Sequence, residues 1–247
     1  MRLLIVNYHH APAAGAHGYR WLQLAHYIGQ AYPDAVVEVI RGGAALQPSE
    51  SCDGRVTRVG LRRSYQPAGA GGASVDAGNA KAAAHRYVGK SLRSLYRSLF
   101  WPDGLWHWLP FALFALYQQR ARNYDYVISY SPTFSAHVAV LLARKLFALK
   151  GRWIADYGDP FSLSDSMPPN NFRLWRGVNR RVERAILGNA DAVVFTNEAT
   201  RQVYAQAFGE GYPLRVIPHL VDLALFNSAA LESADVQRLA LTYVGGF

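Results

Sequence analysis

The stretch from Tyr126 to Asp156, YVISYSPTFSAHVAVLLARKLFALKGRWIAD, decides the fold. Two short apolar runs, Tyr126–Tyr130 and Arg152–Asp156, flank a segment, Phe134–Leu149, that we predict to be a helix. Apolar runs that do not alternate with polar residues are typical of strands that are buried on both faces, as in a parallel sheet. The stretch therefore predicts a strand, a crossover helix and a parallel strand.

The same alternation of strands and helices runs through most of the chain. Further strands are predicted at Arg2–Asn7, Ala35–Ile40, Arg55–Leu61, Ala190–Thr196 and Leu214–Pro218. Further helices are predicted at Tyr19–Tyr32, Lys81–Phe100, Leu105–Arg122, Phe172–Leu187 and Glu198–Phe208. The pattern predicts the α/β class, with a doubly wound, Rossmann-like parallel sheet in residues 1–220.

The end of the chain predicts an unfinished second unit in residues 221–247. An apolar strand, Leu239–Val244, is followed by Gly245 and Gly246, which is how a new α/β domain begins. We expect the sequence to be a truncated piece of a two-domain protein.

Composition excludes several classes of protein. The 247 residues include one cysteine, Cys52, so no internal disulfide framework is possible, and a reducing compartment is indicated. The apolar run at the N-terminus is too short for a signal peptide or a membrane-spanning helix. We therefore expect a cytoplasmic location.

The excess of positive charge lies in one segment. Eleven Lys and Arg residues stand between Arg55 and Arg122 against two acidic residues, while the whole chain has a net charge of +9. Basic and aromatic side chains lie together there, which suits contact with anionic lipid headgroups. The residues that we predict to face the membrane are Lys90, Arg93, Arg97, Trp101 and Trp106. The alternative is a solvated basic face, and the absence of a recognition motif disfavours nucleic acid.

Candidate ligand-binding residues occupy the loops that follow the strands, where open α/β sheets bind ligands. Gly15 and Gly18 precede the first predicted helix, where glycines let a ligand approach backbone N–H groups. The alternative is a plain tight turn, and the absence of a G-x-G-x-x-G fingerprint disfavours NAD. No metal site is predicted, because the nearby histidines (His9, His10 and His17) lack a carboxylate or cysteine neighbour in the sequence.

The loops after two later strands carry hydroxyl, imidazole and carboxyl groups. Ser131 and Thr133 are candidates to line a pocket or to cap the next helix, and His137 is either a ligand contact or a packed residue. Asp156 and Asp159 lie three residues apart at a strand end, which suits hydrogen bonding to an alcohol or general-base catalysis. The alternative is a turn with its corner at Asp159-Pro160.

Five segments, taken in order, resemble the N-terminal half of bacterial GT-B glycosyltransferases of the large retaining family 4. They are GAHGYRWLQLAHYI (15–28), YDYVISYSPTFSAH (124–137), WIADYGDPFS (153–162), VERAILGNADAVVFTN (182–197) and VIPHLVDLALF (216–226). The third is similar to the family pattern W-x-x-D-x-x-D-P-W-S, with Phe161 in place of Trp. The fifth is similar to the linker V-I-P-N-G-V-D-x-x-x-F, with His219 and Leu220 in place of Asn and Gly.

The resemblance implies an acceptor-binding domain that is inactive alone. A following domain, of which LTYVGGF (241–247) resembles the first strand and glycine loop, would bind a nucleotide-diphosphate sugar as co-substrate. No cofactor is expected in the domain present here. The acceptor is expected to be a saccharide or a lipid-linked molecule of bacterial surface polysaccharide synthesis, reached from the inner face of the cytoplasmic membrane.

The resemblance also assigns roles to residues. It implies that Gly15 and Gly18 face the cleft, that Ser131, Asp156 and Asp159 line the acceptor side, and that the transfer is retaining. His137 is a lesser candidate. Two other functions stay open: a sugar-nucleotide epimerase of the same fold, and a non-catalytic module that binds a sugar or a lipid headgroup.

Overall fold

The computed structural model describes residues 1–9, 15–42, 48–51, 54–59, 99–164 and 174–219. The predicted helix Lys81–Phe100, apart from its last two residues, lies outside these ranges, as do Lys90, Arg93 and Arg97. The predicted second unit, 221–247, also lies outside them.

The described residues form one sheet of eight strands in the order β3-β4-β2-β1-β5-β6-β7-β8. All neighbouring strands are parallel except β3 and β4, which pair antiparallel. The strands are β1 (Arg2–Val6), β2 (Val36–Gly42), β3 (Pro48–Ser51), β4 (Gly54–Val59), β5 (Tyr126–Ser131), β6 (Arg152–Tyr157), β7 (Ala192–Phe195) and β8 (Leu214–Val216).

Helices cover both faces of this sheet. They are α1 (Gly15–Ala31), α2 (Leu109–Gln119), α3 (Phe134–Phe147), α4 (Arg176–Asn189) and α5 (Glu198–Phe208). Leu3 and Ile5 of β1 pack with α1, whereas Leu4 and Val6 belong to the core under α2 to α5. Because successive strand residues point to opposite faces, each strand needs apolar side chains at every position, which explains the continuous apolar runs. The predicted doubly wound α/β fold is confirmed.

Several predicted boundaries were wrong, for identifiable reasons. Helix α1 begins at Gly15, so Gly15 and Gly18 lie within its first turn and do not precede it. The predicted helix Leu105–Arg122 is a short 3-10 turn, Trp106–Trp108, followed by α2, because Pro110 lacks an N–H and fits a first helical turn. Strand β3 was not predicted, since its sequence PSES has no apolar run.

The strand order places one switch point between β1 and β5. Strands β2 and β4 continue the sheet on one side of β1, and β5 to β8 continue it on the other. Helix α1, which follows β1, packs on one face of the sheet, and α3, which follows β5, packs on the other. In open α/β sheets this arrangement places the ligand-binding crevice at the carboxyl ends of the strands. Within the described ranges, no helix has the length and apolar character that crossing a bilayer requires.

The amino end of α3, which borders this crevice, is capped from a distant turn. The Asp103 carboxylate accepts hydrogen bonds from the Ser135 backbone N–H (2.8 Å), the Ser135 hydroxyl (2.8 Å) and the Leu105 N–H (2.9 Å). Thr133 stands at the N-cap position of α3 but makes no side-chain cap bond. The cap therefore comes from Asp103, and the predicted cap by Thr133 was wrong.

We expect Asp103→Ala to lower the free energy of unfolding by about 2 kcal/mol or more, because several N–H and O–H donors lose their acceptor. Ser135→Ala, the matched control, removes one of these contacts and keeps the backbone bond, so its loss should be smaller. Urea unfolding of both variants measures the difference. Equal losses would contradict a cap supplied by Asp103.

Candidate functional site

Asp156 is the second-to-last residue of β6, on the sheet face that α1 covers, and it is completely buried. Its Oδ2 accepts hydrogen bonds from Arg20 Nε (2.9 Å) and Trp21 Nε1 (2.7 Å), and its Oδ1 lies 3.4 Å from Arg20 Nη2. Burial raises the pKa of Asp156, while the guanidinium and the indole N–H act against that increase. Because arginine stays protonated, the two groups form a buried ion pair.

Arg20 also contacts the chain that leaves β8. Its Nη1 donates to the Pro218 carbonyl (2.9 Å) and its Nη2 donates to the Ile217 carbonyl (2.8 Å). One side chain therefore joins α1, the end of β6 and the segment that follows β8. Sequence reasoning missed Arg20.

Asp159, the second predicted carboxylate, has a different environment from Asp156. It is partly exposed in the turn after β6, and no hydrogen bond or ion pair joins it to another residue in the described ranges. Burial raises the pKa of the nearby Tyr130 hydroxyl, and the charges of Asp156 and Asp159 act in the same direction, against that of Arg20. Asp159 is therefore a carboxylate at the strand-end edge whose oxygens are available to a ligand.

Gly158 allows the turn that contains Asp159 to pack closely against the end of β5. Its N–H donates to the Ser131 carbonyl (3.0 Å). A Cβ atom at this position would lie 2.7 Å from the Tyr130 hydroxyl oxygen and 2.8 Å from the Ser131 carbonyl oxygen. A glycine is needed here because the two strand ends approach so closely. The ends of β5 and β6 therefore lie side by side, with the Ser131 side chain buried and Asp159 in the turn that follows β6.

The loop that follows Asp159 is hydrogen-bonded to a buried glutamate. Glu183 of α4 accepts hydrogen bonds from the Ser162 N–H (3.2 Å), from the Ser162 hydroxyl, and from the Tyr204 hydroxyl (2.7 Å). Tyr204 in turn accepts a hydrogen bond from the Phe161 N–H (3.0 Å), and the Phe161 ring stacks on Phe134 at 3.4 Å. The path of this loop therefore depends on α4 and α5.

Burial raises the pKa of Glu183 to about 7, while its hydrogen bonds to Ser162 and Tyr204 and the charge of Arg180 act in the opposite direction. Glu183 was not among the predicted site residues. The available signal was that it is the one acidic residue in an otherwise basic helical segment, 172–187.

His137, a predicted ligand contact, lies inside the core. It is fully buried, its Nδ1 lies 2.6 Å from the Ser129 hydroxyl, and its ring lies 4.5 Å from that of Tyr157. The Ser129 oxygen also accepts a hydrogen bond from Trp153 Nε1 (2.8 Å). Burial lowers the pKa of His137 to about 3, so the imidazole is neutral at physiological pH. This geometry is that of a packed histidine.

The two described residues of the predicted membrane-facing group differ in exposure. Trp101 is partly buried, and its Nε1 donates to the buried Asn179 (2.8 Å). Trp106 is 36% exposed, and its ring stacks on Phe100 with a centroid distance of 4.9 Å. Of these two tryptophans, Trp106 is the more exposed to solvent.

Further exposed aromatic side chains lie on α2. Phe114 is 58% exposed and Tyr117 is 41% exposed. The Arg120 guanidinium lies 3.7 Å above the Tyr117 ring. Pro110, Phe114 and Tyr117 are spaced by four and three residues, so they share one helix face.

No group of three or more His, Cys, Asp or Glu residues within the described ranges could hold a metal ion.

The family model for Glycosyltransferase Family 4 matches residues 75–225, more than half of the chain. Comparison with curated proteins gives no significant match.

Two solved structures are similar in fold. Sucrose-phosphate synthase from Thermosynechococcus elongatus has a TM-score of 0.59 at 17% identity, with 91% of this chain and 49% of that chain covered. The catalytic domain of Starch Synthase IV from Arabidopsis thaliana, bound to ADP and acarbose, has a TM-score of 0.52 at 11% identity, with 93% of this chain and 53% of that chain covered. This chain spans about half the length of each.

The pKa of Glu183 predicts a pH-dependent stability. Its folded pKa of about 7 exceeds the ordinary value of 4.5, so the folded protein binds this proton more tightly than the unfolded chain. The contribution of Glu183 to stability is therefore complete below about pH 4.5 and is lost as the pH rises through about 7.

At about 1.4 kcal/mol for each pKa unit, we expect the stability of the natural protein relative to Glu183→Gln to fall by on the order of 3 kcal/mol across this range. Urea unfolding between pH 4.5 and 8 measures the difference. Glu210→Gln, an exposed carboxylate beyond α5, is the matched control and should not reproduce the trend. A difference that is independent of pH for Glu183→Gln would contradict this assignment.

Proposed function

The chain belongs to glycosyltransferase family 4, and from this premise we propose that it forms the acceptor-side half of an enzyme that transfers a sugar from a nucleotide-sugar donor. The acceptor hydroxyl binds at the carboxyl ends of β5 and β6, where Ser131, Gly158 and Asp159 lie. The transfer is proposed to retain anomeric configuration, and the acceptor is proposed to be a saccharide or a lipid-linked molecule of bacterial surface polysaccharide synthesis.

The observation that carries this proposal is the contrast between two nearby carboxylates. Asp156 is buried with its oxygens engaged by Arg20 and Trp21, whereas Asp159 is partly exposed and unpaired within the described ranges. An ionised carboxylate at the mouth of a crevice accepts a hydrogen bond from an alcohol and orients its oxygen for attack. We therefore propose Asp159 as the residue that contacts the acceptor.

The donor is proposed to bind to a second half that follows this chain. Support comes from the chain's coverage of about half of each similar structure, and from the ADP that is bound in the starch synthase structure. On this proposal the diphosphate contacts lie outside residues 1–247. The chain alone is then inactive and binds no cofactor.

We expect Asp159→Ala to lower kcat of the complete gene product about 100-fold or more, because the acceptor hydroxyl loses its hydrogen-bond acceptor. The free energy of unfolding should change by less than about 1 kcal/mol, since Asp159 is unpaired in the described ranges. Product formation from a panel of UDP-, GDP- and ADP-sugars with saccharide and lipid-linked acceptors measures the effect.

The matched control is Asp34→Ala, an exposed aspartate just before β2 at the opposite edge of the sheet, which should keep full activity. An unchanged rate for Asp159→Ala would remove Asp159 from the site. Turnover by the 247-residue chain alone would contradict the two-half proposal. Epimerised donor in place of transferred sugar would support the epimerase, and a gene that ends at Phe247 would favour a binding module.

We also propose that the protein docks on the anionic inner face of the cytoplasmic membrane. The rings of Trp106, Phe114 and Tyr117 are exposed, and the Arg120 guanidinium lies over the Tyr117 ring, which combines apolar insertion with attraction to lipid headgroups. The basic residues Lys90, Arg93 and Arg97 are proposed to add to this surface.

For this membrane contact we expect the double variant Phe114→Ala, Tyr117→Ala to weaken binding to vesicles that contain anionic lipid roughly tenfold, because two inserting rings are removed. Co-sedimentation at low salt measures the bound fraction. The double variant Tyr32→Ala, Val203→Ala alters exposed side chains elsewhere and is the control. If the natural protein stays in the supernatant, the membrane proposal fails.

A further inference from the structure

Where the chain leaves the sheet, backbone groups of the segment after β8 are hydrogen-bonded to the rest of the domain. After β8, the Ile217 N–H still pairs with the Phe195 carbonyl of β7 (2.9 Å). The side chains of Ile217, Pro218 and His219 are exposed, so burial of apolar surface cannot fix this segment. The carbonyl groups of Ile217 and Pro218 turn inward and accept hydrogen bonds from Arg20.

Arg20 is suited to this contact because the Asp156 carboxylate holds its guanidinium group in one orientation. The side chain is buried, and its Nε and Nη2 atoms face the Asp156 carboxylate across a planar fork. The indole N–H of Trp21 holds Asp156 Oδ2 in turn (2.7 Å). The orientation of the guanidinium, and therefore of the carbonyl groups that it binds, is fixed from the interior of the domain.

We propose that Arg20 is a positioning residue, which fixes the backbone at Ile217 and Pro218 where the chain leaves the sheet. Asp156 acts by orienting Arg20, and we call this arrangement the clamp. Both Asp156 oxygens are engaged and the residue is completely buried, so Asp156 offers no surface to an acceptor.

The functional meaning of the clamp rests on the proposed function. If the donor site lies in a following half, the exit angle of the chain sets the distance between the bound donor and Asp159. A displacement of about 1 Å between reacting groups is enough to cost on the order of 100-fold in rate. Lysine cannot replace the clamp, since a single ammonium group cannot serve the carboxylate and two carbonyl groups in one plane.

Amide hydrogen exchange of Arg20→Lys in the 247-residue chain tests the clamp directly. We expect the Ile217 amide, which is bonded to the Phe195 carbonyl, to exchange at least roughly tenfold faster, because the segment loses hydrogen bonds to a charged donor. Amides of Leu4 and Ile128, in the sheet centre, should keep their rates. Asp156→Asn should give the same local increase, because the retained guanidinium loses the partner that orients it.

The matched control is Arg144→Lys. Arg144 also pairs with an aspartate, Asp191 (3.4 Å), and donates to a backbone carbonyl, that of Gly151 (2.8 Å), but these contacts lie at the amino-end edge of the sheet. This variant should leave exchange at Ile217 unchanged. Unchanged exchange at Ile217 in Arg20→Lys, or an equal increase in all strands, would overturn the proposal.

A measurement on the natural protein covers the case in which the variants do not fold. Nitrogen-15 NMR of the arginine side chains should show separate, slowly exchanging Nη signals for Arg20, since both Nη groups are hydrogen-bonded. Arg152, which is exposed and has no side-chain hydrogen bond within the described residues, should give one averaged signal. An averaged signal for Arg20 would also overturn the clamp.

Activity of the complete gene product separates the clamp from the proposed function. Arg20→Lys should lower kcat about tenfold or more while the KM for the acceptor changes less than about twofold, because the acceptor edge itself is intact. If amide exchange at Ile217 increases in Arg20→Lys but the complete gene product transfers sugar from no donor, the clamp is supported and the proposed transferase function is rejected. Transfer that is unaffected in Arg20→Lys, without local exchange changes, would reject the clamp alone.

Discussion

The buried ion pair between Arg20 and Asp156 is the interaction on which the strand-end edge of this domain depends. A carboxylate that is removed from water needs a cation and hydrogen-bond donors, and Arg20 with Trp21 supplies both. The pair fixes α1 against β6 and reaches the chain after β8. The position of the strand ends that a ligand meets therefore depends on this buried polar contact.

Two aspartates three residues apart have unlike surroundings because they point in different directions. Asp156 is the last inward-facing residue of β6 on the α1 side, whereas Asp159 lies beyond the strand in a turn that Gly158 fits against β5. Glu183 supports the continuation of that turn from α4. The accessibility of Asp159 thus results from contacts made by residues on three other elements.

The sequence could predict the fold because the strands are buried on both faces, which leaves continuous apolar runs. Helix α5 was predicted with its observed bounds, and Asn197 caps it through the Thr200 N–H. Strand β3 has no such run and exists through its pairing with β4. The partners of Arg20 and Glu183 could not be predicted from local pattern, because Asp156 lies 136 residues from Arg20, and Ser162 and Tyr204 each lie 21 residues from Glu183.

The two outermost strands of the described sheet bear on how this protein avoids self-association. An open sheet exposes unpaired backbone groups that can recruit a strand from another molecule. At one side the outermost strand, β3, is short, antiparallel and polar, and it begins with Pro48, which has no N–H to offer. At the other side β8 has only three residues. Neither of these two described strands is therefore a long apolar template for pairing with another molecule.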